Sequence, residues 1–426
     1  MSKGKVKEIN IALLGLGTVG TGVAKLIKEN EKCILEKNNL IINIVKVYER
    51  KAERLDRAGL DRDLFCGDPQ DIFNDKSVDI VVELLGRIHP SKEYIENALN
   101  AKKHVVTANK DLICMHGNEL LDVATKNDKV LLYEASCLGA IPAINTIKNN
   151  FLGDEILAIK GIFNGTTNFI LTKMKDEGMS FDAALKIAQE LGYAESDPTN
   201  DVDGIDAAYK LCILSRLAFG VDAKFEDISK RGIRSVAAQD IAIAKRLGYT
   251  IKLLAIGKMT NGKLEMRVNP IFVPNSHQLA NINGAFNAFN VLGNYSDEIT
   301  LIGRGAGSKP TASSVANDIM NFGYDLSSQK TRQMKKVQIE KDGQMKFCLR
   351  LTVFDRPGIL SKIAKCCGDN AISIESVLQD KNDNPNSKSL IIVTHTTSFF
   401  NMQKALSEIM KTDAVENVDS VIEVLE

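Results

Sequence analysis

The sequence predicts an α/β protein in three parts: an N-terminal doubly wound parallel sheet, a middle α+β region and a C-terminal ferredoxin-like βαββαβ module. Three observations carry this. The first ~135 residues alternate apolar, strand-like runs with helix-like runs of about 10–15 residues, the mark of βαβ units. From about 150 to 305, strand-like runs separated by turns flank long helical patterns. Residues 346–426 then carry their own strand–helix–strand–strand–helix–strand order.

Taken in order, "INIALLG" (9–15) is a buried strand, and "LGTVGTGVAKLIKEN" after it has the period of a helix. "LIINIVKVYER", "SVDIVVELLG", "KKHVVTAN" and "KVLLYEASCLG" supply further strands, with "SKEYIENALNA" and "GNELLDVATKND" as helices between them. These make a domain over 1–135, which a helix at 311–324 returns to complete, from about 306 to 325. The middle region, 136–305, has strands in "DEILAIKGIFNG" and "KLLAIGKMTNGKLEMRVNPIFV", and helices at 180–191, 203–219 and 237–247. A polar stretch at 326–345 reads as a linker. In 346–426, "KFCLRLTVFD" is a strand and "RPGILSKIAKCCGDN" a helix with Pro357 near its start. "AISIESVLQD" and "KSLIIVTHTT" are strands, "SFFNMQKALSEIMKT" a helix and "VDSVIEVLE" the last strand.

The 426 residues suffice for about three domains. Lysine plus arginine equals aspartate plus glutamate, 54 each, and zero net charge argues against a nucleic-acid partner or an anionic membrane surface. No apolar run approaches the ~18 residues of a membrane span. "INIALLGLG" runs into a glycine loop with no cleavage site, so a cytoplasmic protein is expected. Eight cysteines form no Cys-x-x-Cys pair and five histidines no ligand spacing, which points to free buried thiols and no structural zinc.

"GLGTVG" follows a strand and opens a helix, the context a Rossmann-type dinucleotide fingerprint requires. Gly15 allows the tight turn, Gly17 the approach of a pyrophosphate, and Gly20 close helix–sheet packing. With Thr18 and Val19 these residues form the loop, and the helix start attracts phosphate charge. The second strand ends in Glu49, suited to a ribose 2′-hydroxyl and NAD. Arg50 and Lys51 follow, suited to a 2′-phosphate and NADP, so both cofactors stay open.

"ESDPTNDVDGIDAAYK" (195–210) packs five carboxylates around one lysine. Aligned on Gly204 as a calcium loop, it puts Thr199 at the first position and Lys210 at the twelfth, where acids are needed, so calcium is rejected. Asp206 and Lys210 share a helix face, and Asp203 is the expected N-cap, with Asp201 and Asp203 favouring the positive helix end. Leu211, Ile213, Leu214 and Leu217 make the continuing helix apolar, so Lys210 borders a core. An ordinary capped surface helix and a catalytic one remain equal readings on these residues alone.

Three further motifs make the chain resemble homoserine dehydrogenase over essentially its full length: "VVTANK" ending at Lys110, "YEASCLGAIP" (133–142) and "LGYAESDPTNDVDGIDAAYKLCIL" (191–214). "GRGAGSKPTAS" (303–313), with Gly305 and Gly307 as cofactor-binding glycines, is also similar to that family. The resemblance implies interconversion of L-homoserine and L-aspartate 4-semialdehyde with NADP or NAD, in threonine, methionine and isoleucine biosynthesis. It implies Lys210 as the proton-transfer residue, Asp206 beside it on the substrate, and Glu195 on the substrate's amino group. Gly192 lies near the cofactor, and Lys110 near the nicotinamide and substrate. It also implies a monovalent cation, Na+ or K+, held mainly by the backbone carbonyls of Glu134, Cys137, Gly139 and Ile141. Cys137 stands where the family commonly has valine.

"FDRPGILSKIA", with Asp355 at a strand-to-helix turn, resembles the opening of an ACT domain, and implies threonine as an inhibitory effector. Ala371 stands where the related pattern usually has glycine. A homodimer built on the middle domain, or a homotetramer, is expected by the same resemblance. Two alternatives compete. An enzyme like aspartate-semialdehyde dehydrogenase needs a cysteine nucleophile paired with histidine; Cys137 is its only candidate, and no histidine motif accompanies it. A non-catalytic amino-acid sensor leaves Lys210, Asp206 and Glu195 without a purpose.

Overall fold

In the computed structural model, which describes residues 6–322, 334–381 and 387–425, the N-terminal strands form a six-stranded parallel sheet. Its strands are β1 (Lys7–Leu14), β2 (Leu40–Tyr48), β3 (Phe65–Cys66), β4 (Ile80–Glu83), β5 (His104–Thr107) and β6 (Leu131–Leu132), in the order β3-β2-β1-β4-β5-β6. Ile9, Ile11 and Leu13 of β1 are buried on one face together with Val82, Val106 and Leu132. The order reverses between β1 and β4, which opens a crevice at the carboxyl end of β1, where the glycine loop begins.

The Thr18–Glu29 helix lies against the Ser308–Asn321 helix, through Val23, Ala24 and Ile27 on one side and Ala312, Val315 and Ile319 on the other. The returning helix thus starts three residues before the expected position 311. Its expected last residues, 323–324, lie outside the described residues. These elements belong to one compact unit, residues 1–159, 209–226 and 287–337.

A second compact unit comprises residues 160–208, 227–286 and 338–426. Its Tyr249–Thr260 and Lys263–Pro274 strands pair antiparallel along their whole length, joined by the Asn261–Gly262 turn. The Val415–Val424 strand adds in parallel, with Ile271 opposite Glu423 and Phe272 opposite Val424. Gln344–Phe354, Ser387–Thr394 and Ile374–Lys381 follow in that order. The strand order of the C-terminal module is the ferredoxin-like one, and its Ile359–Asp369 and Phe399–Ile409 helices share a core with it through Ile363, Met402, Ile409, Leu349 and Leu390. The C-terminal module therefore continues the sheet of the middle region.

Two sequence expectations change. Residues 326–333 of the expected linker lie outside the described residues, but Gln338–Ile339 already pairs in parallel with Lys263–Leu264 and Gln344 starts the next strand. The helix expected over 203–219 is one helix that starts two residues later, Ile205–Phe219, and Gly204 at φ +79 separates it from a short preceding helix, Thr199–Val202. Among the described residues no helix is long and apolar enough to cross a membrane.

Candidate active site

The glycine loop behaves as its spacing predicts. Gly15 has φ +101, and a Cβ at Gly20 would sit 2.1 Å from the Gly15 carbonyl oxygen, so that helix approach needs glycine. A Cβ at Gly17 would meet nothing within 4 Å, which leaves the backbone open to a ligand, and the first turn of the Thr18–Glu29 helix carries no acid to repel an anion. Gly17, Thr18, Arg54, Arg57 and Ser308 line a cavity of about 410 Å³ there. Ser308 Oγ donates to the Thr18 carbonyl at 2.8 Å and ties the Gly305–Gly307 segment to the loop. These residues fit a dinucleotide.

Glu49 is buried at 6% exposure, and its carboxylate accepts from the Leu16 N–H (3.0 Å), the Arg50 N–H (2.8 Å) and Arg54 (3.1 Å). Burial works to raise its pKa, but those donors outweigh burial and hold it below the ordinary glutamate value. Arg50 is exposed. The arginines lining the cavity are Arg54 and Arg57, which the sequence reading passed over because they lie on the helix after the strand end.

Lys110 begins the Lys110–Lys126 helix, whose N-cap Asn109 accepts from the Leu112 N–H at 3.1 Å. Asn109 is fixed in turn: its amide donates to the Arg87 carbonyl (2.8 Å), and its N–H donates to Thr107 Oγ1 (3.0 Å). Thr107 donates to Glu83 (2.6 Å), a fully buried carboxylate that also accepts from Ser91 Oγ and the Leu85 N–H. Sequence reading missed Glu83; an acid closing a "VVE" strand was its only signal.

Lys210 lies on the Ile205–Phe219 helix at 7% exposure. Farther along that helix Arg216 donates to the carbonyls of Ala223 (2.7 Å), Ile113 (3.3 Å) and Cys114 (2.7 Å), locking it to the helix that starts at Lys110.

In the second unit the acids divide. Asn164, N-cap of the Gly165–Glu177 helix, donates through its amide to Asp201 (2.6 Å) and Asp206 (2.9 Å), while its oxygen accepts from the Thr167 N–H. Asp206 is 7% exposed. Asp197 accepts from the Thr199 N–H and hydroxyl, and the hydroxyl bond heads the causes that hold its carboxyl below the usual range. Asp203 is not the N-cap: the flanking residue of the Ile205 helix is Gly204, whose carbonyl accepts from Ala208, and Asp203 pairs with Arg234 at 2.7 Å. Glu195 is exposed, and its carbonyl accepts from Gln189. Gly192 takes φ +74 at the preceding turn. Asn164, in "FNGTTN", is the residue the sequence reading missed here.

The segment expected to hold a cation lies in the first unit. Leu138 and Gly139 are consecutive left-handed residues, φ +56 and +55. Gly139 packs against the Gly305 backbone, Ala140 N–H bonds the Arg304 carbonyl, and the four expected residues share one tight loop. The carbonyls of Glu134, Gly139 and Ile141 accept from Cys137 N–H, Ser314 Oγ and Ala143 N–H, which leaves each a second lone pair. The Glu134 carboxylate accepts from the Ile144 and Asn145 N–H groups at the start of the Ala143–Asn150 helix, and Asp318 accepts from the Glu134 N–H. Burial pushes Glu134 up to about 7 and Asp318 up to about 8. No cluster of three His, Cys, Asp or Glu side chains suited to a metal occurs among the described residues. Cys137 is fully buried, which removes it as a nucleophile open to substrate.

Comparison with known proteins identifies a family for the chain. A family model described as homoserine dehydrogenase, NAD binding domain, matches residues 15–134, and one described as homoserine dehydrogenase matches 142–320. The homoserine dehydrogenase of Bacillus subtilis is 38% identical, with 98% of this chain and 99% of that protein covered. The crystal structure of a homoserine dehydrogenase from Thiobacillus denitrificans superposes with a TM-score of 0.93 at 36% identity, covering 99% of each chain. A hyperthermophilic archaeal homoserine dehydrogenase in complex with NADPH matches at a TM-score of 0.63 and 29% identity, over 74% of this chain and 97% of its own.

Proposed function

The chain belongs to the homoserine dehydrogenase family, NAD(P)-binding oxidoreductases acting on a CH–OH group, and on that footing we propose how its residues divide the reaction. The observation that carries the proposal is the helix Ile205–Phe219. It bears Asp206 and Lys210 one turn apart and both nearly buried, with Asp206 fixed by Asn164. Lys210 is the proton carrier between L-homoserine and L-aspartate 4-semialdehyde. It takes the C4 hydroxyl proton in oxidation; in reduction its ammonium donates to the developing alkoxide and stabilises it. Asp206 holds the substrate hydroxyl or orients the lysine, and Glu195 takes the substrate ammonium. The dinucleotide, when bound, supplies the carbon that accepts or gives the hydride. Gly15, Gly17, Thr18, Val19 and Gly20 hold its phosphates, with Lys110, Gly192, Gly305 and Gly307 toward the reacting end.

NADP is the favoured cofactor in this reading, because Arg54 and Arg57 line the cavity while the Glu49 oxygens are already engaged. A Na+ or K+ ion on the carbonyls of Glu134, Cys137, Gly139 and Ile141 braces that loop. The functional division is 1–135 with 306–325 for the cofactor, 136–305 for substrate and dimerisation, and 346–426 as an ACT module, joined through 326–345. A homodimer or homotetramer in the cytoplasm completes the proposal; eight cysteines without a disulfide agree with that compartment.

Lys210→Ala, assayed with both cofactors, is expected to keep NADPH binding and lose turnover by about three orders of magnitude or more. Near-normal kcat in that variant ends the assignment. Threonine is proposed as effector at the turn Asp355–Gly358, where Gly358 takes φ +85 and Asp355 pairs with Lys388 at 3.2 Å. Ala371 holds φ +56, the conformation glycine favours, so the departure from the related pattern leaves the backbone in place. Asp355→Ala is expected to relieve threonine inhibition with basal activity unchanged. Full inhibition in that variant counts against the site.

A further inference from the structure

At the seam between the C-terminal module and the Lys263–Pro274 strand, charged side chains are gathered in the interior of the second unit. Glu423 of the Val415–Val424 strand is 4% exposed; its carboxylate accepts from Asn269 at 2.6 Å and pairs with Arg267 at 2.9 Å. Arg267 also meets Glu265, and Glu423 and Asp240 both act on Arg231. The two residues that Glu423 grips flank Val268. Side chains alternate across a strand, so Val268 projects from the opposite face. There its side chain lies 3.1 Å from the position a Cβ would take on Gly204, the residue immediately before the Ile205–Phe219 helix.

Backbone bonds run along the same line. Arg231 N–H donates to the Val268 carbonyl, and Ile233 N–H donates to the Val202 carbonyl. A Cβ on Gly232 would fall 2.0 Å from the Val202 oxygen, so the 202–204 turn packs closely against the 231–233 segment, which Arg231 bonds to this strand. Removing one partner of a buried ion pair strands the other charge, and Arg267 would then seek Glu265 alone and shift the strand at Val268.

We infer that Glu423, in the C-terminal module, is a positioning residue for the substrate helix, acting through Arg267 and Val268 on the turn that aims Asp206. This rests on the substrate role proposed for Asp206. It makes the module part of the substrate site even with no effector bound.

The test compares Glu423→Gln with Arg246→Gln in the full-length protein. Arg246, at the end of the Ala238–Arg246 helix, pairs on the surface with Asp380 of the module's far strand, Ile374–Lys381, and does not lead to Gly204. Glu423→Gln is expected to raise the homoserine KM about tenfold, with the NADPH dissociation constant unchanged. Arg246→Gln is expected to leave both unchanged. A merely structural role predicts fewer active molecules, hence a lower kcat at unaltered KM, and that result overturns the inference. So does an equal KM rise in Arg246→Gln. If Glu423→Gln does not fold, Glu423→Asp, one methylene shorter, must raise KM, and a wild-type KM overturns the inference equally. Lys210→Ala keeps the two readings separable: an inactive Lys210→Ala beside a normal Glu423→Gln sinks only the inference.

Discussion

Asn164 does at one position what no carboxylate in 195–210 does for itself. It separates Asp201 from Asp206, gives each a donor and caps a helix with its remaining oxygen. Hydrogen bonds to charged groups are worth about 1.5–3 kcal/mol, so Asn164→Ala is expected to lower kcat/KM for homoserine about 10- to 100-fold with cofactor affinity intact. Steady-state kinetics with a parallel NADPH titration checks this; an unchanged kcat/KM removes Asn164 from the site. At this scale the glycines were legible, because a tight turn or a close approach is a local demand. The separate jobs of the acids were not, because each is set by a partner far along the chain: Asn164 for Asp206, Arg234 for Asp203. Only Asp197, bonded to Thr199 two residues on, has a role that adjacent sequence decides.

Among the elements, the helix Gly165–Glu177 is pinned from beneath by Lys252 of the Tyr249–Thr260 strand. Lys252 is 1% exposed and donates to Asn168 (2.9 Å), the Ile282 carbonyl (2.6 Å) and Asn283 (3.2 Å). None of these acceptors is charged. Burial first, and the Lys175 charge next, bring its pKa down to about 7, with Asp176 opposing. The unfolded chain therefore binds more protons than the folded one between about pH 7 and the ordinary lysine value, and stability from this group rises with pH across that window. The penalty is full below pH 7. Lys252→Met lacks this term, so the wild-type Tm should climb relative to the variant from pH 7 to about pH 10. Parallel Tm curves would contradict it. Periodicity located this strand and its hairpin partner, but a lysine inside a strand reads as solvent-facing, and nothing nearby announces its acceptors. β3 escaped for another reason: two residues are too few to carry a period.

For the molecule as a whole, the parallel sheet and the ferredoxin-like order were readable because each is built from neighbours in sequence. The joining of the C-terminal module to the middle-region hairpin was not. Ile271–Glu423 and Phe272–Val424 join segments about 150 residues apart, and no local pattern in either specifies the other. Cutting the chain before residue 346 would uncover the strand at Ile271–Phe272 and leave Arg267 and Asn269 without Glu423, so truncation cannot remove the module without disturbing the middle region. The same pairing has a consequence in time. During synthesis at about 5–20 residues per second, the Lys263–Pro274 strand leaves the ribosome roughly 8–30 seconds before its partner. For that interval the Ile271–Phe272 end of this strand's edge is unpaired, while Arg267 and Val268 already lie beside Ser229 and Lys230, and an open edge invites chain-to-chain association. The Tyr249–Pro274 hairpin is thus a late-maturing part of a nascent chain, and the yield of protein should depend on how well the cell shields that edge while translation finishes.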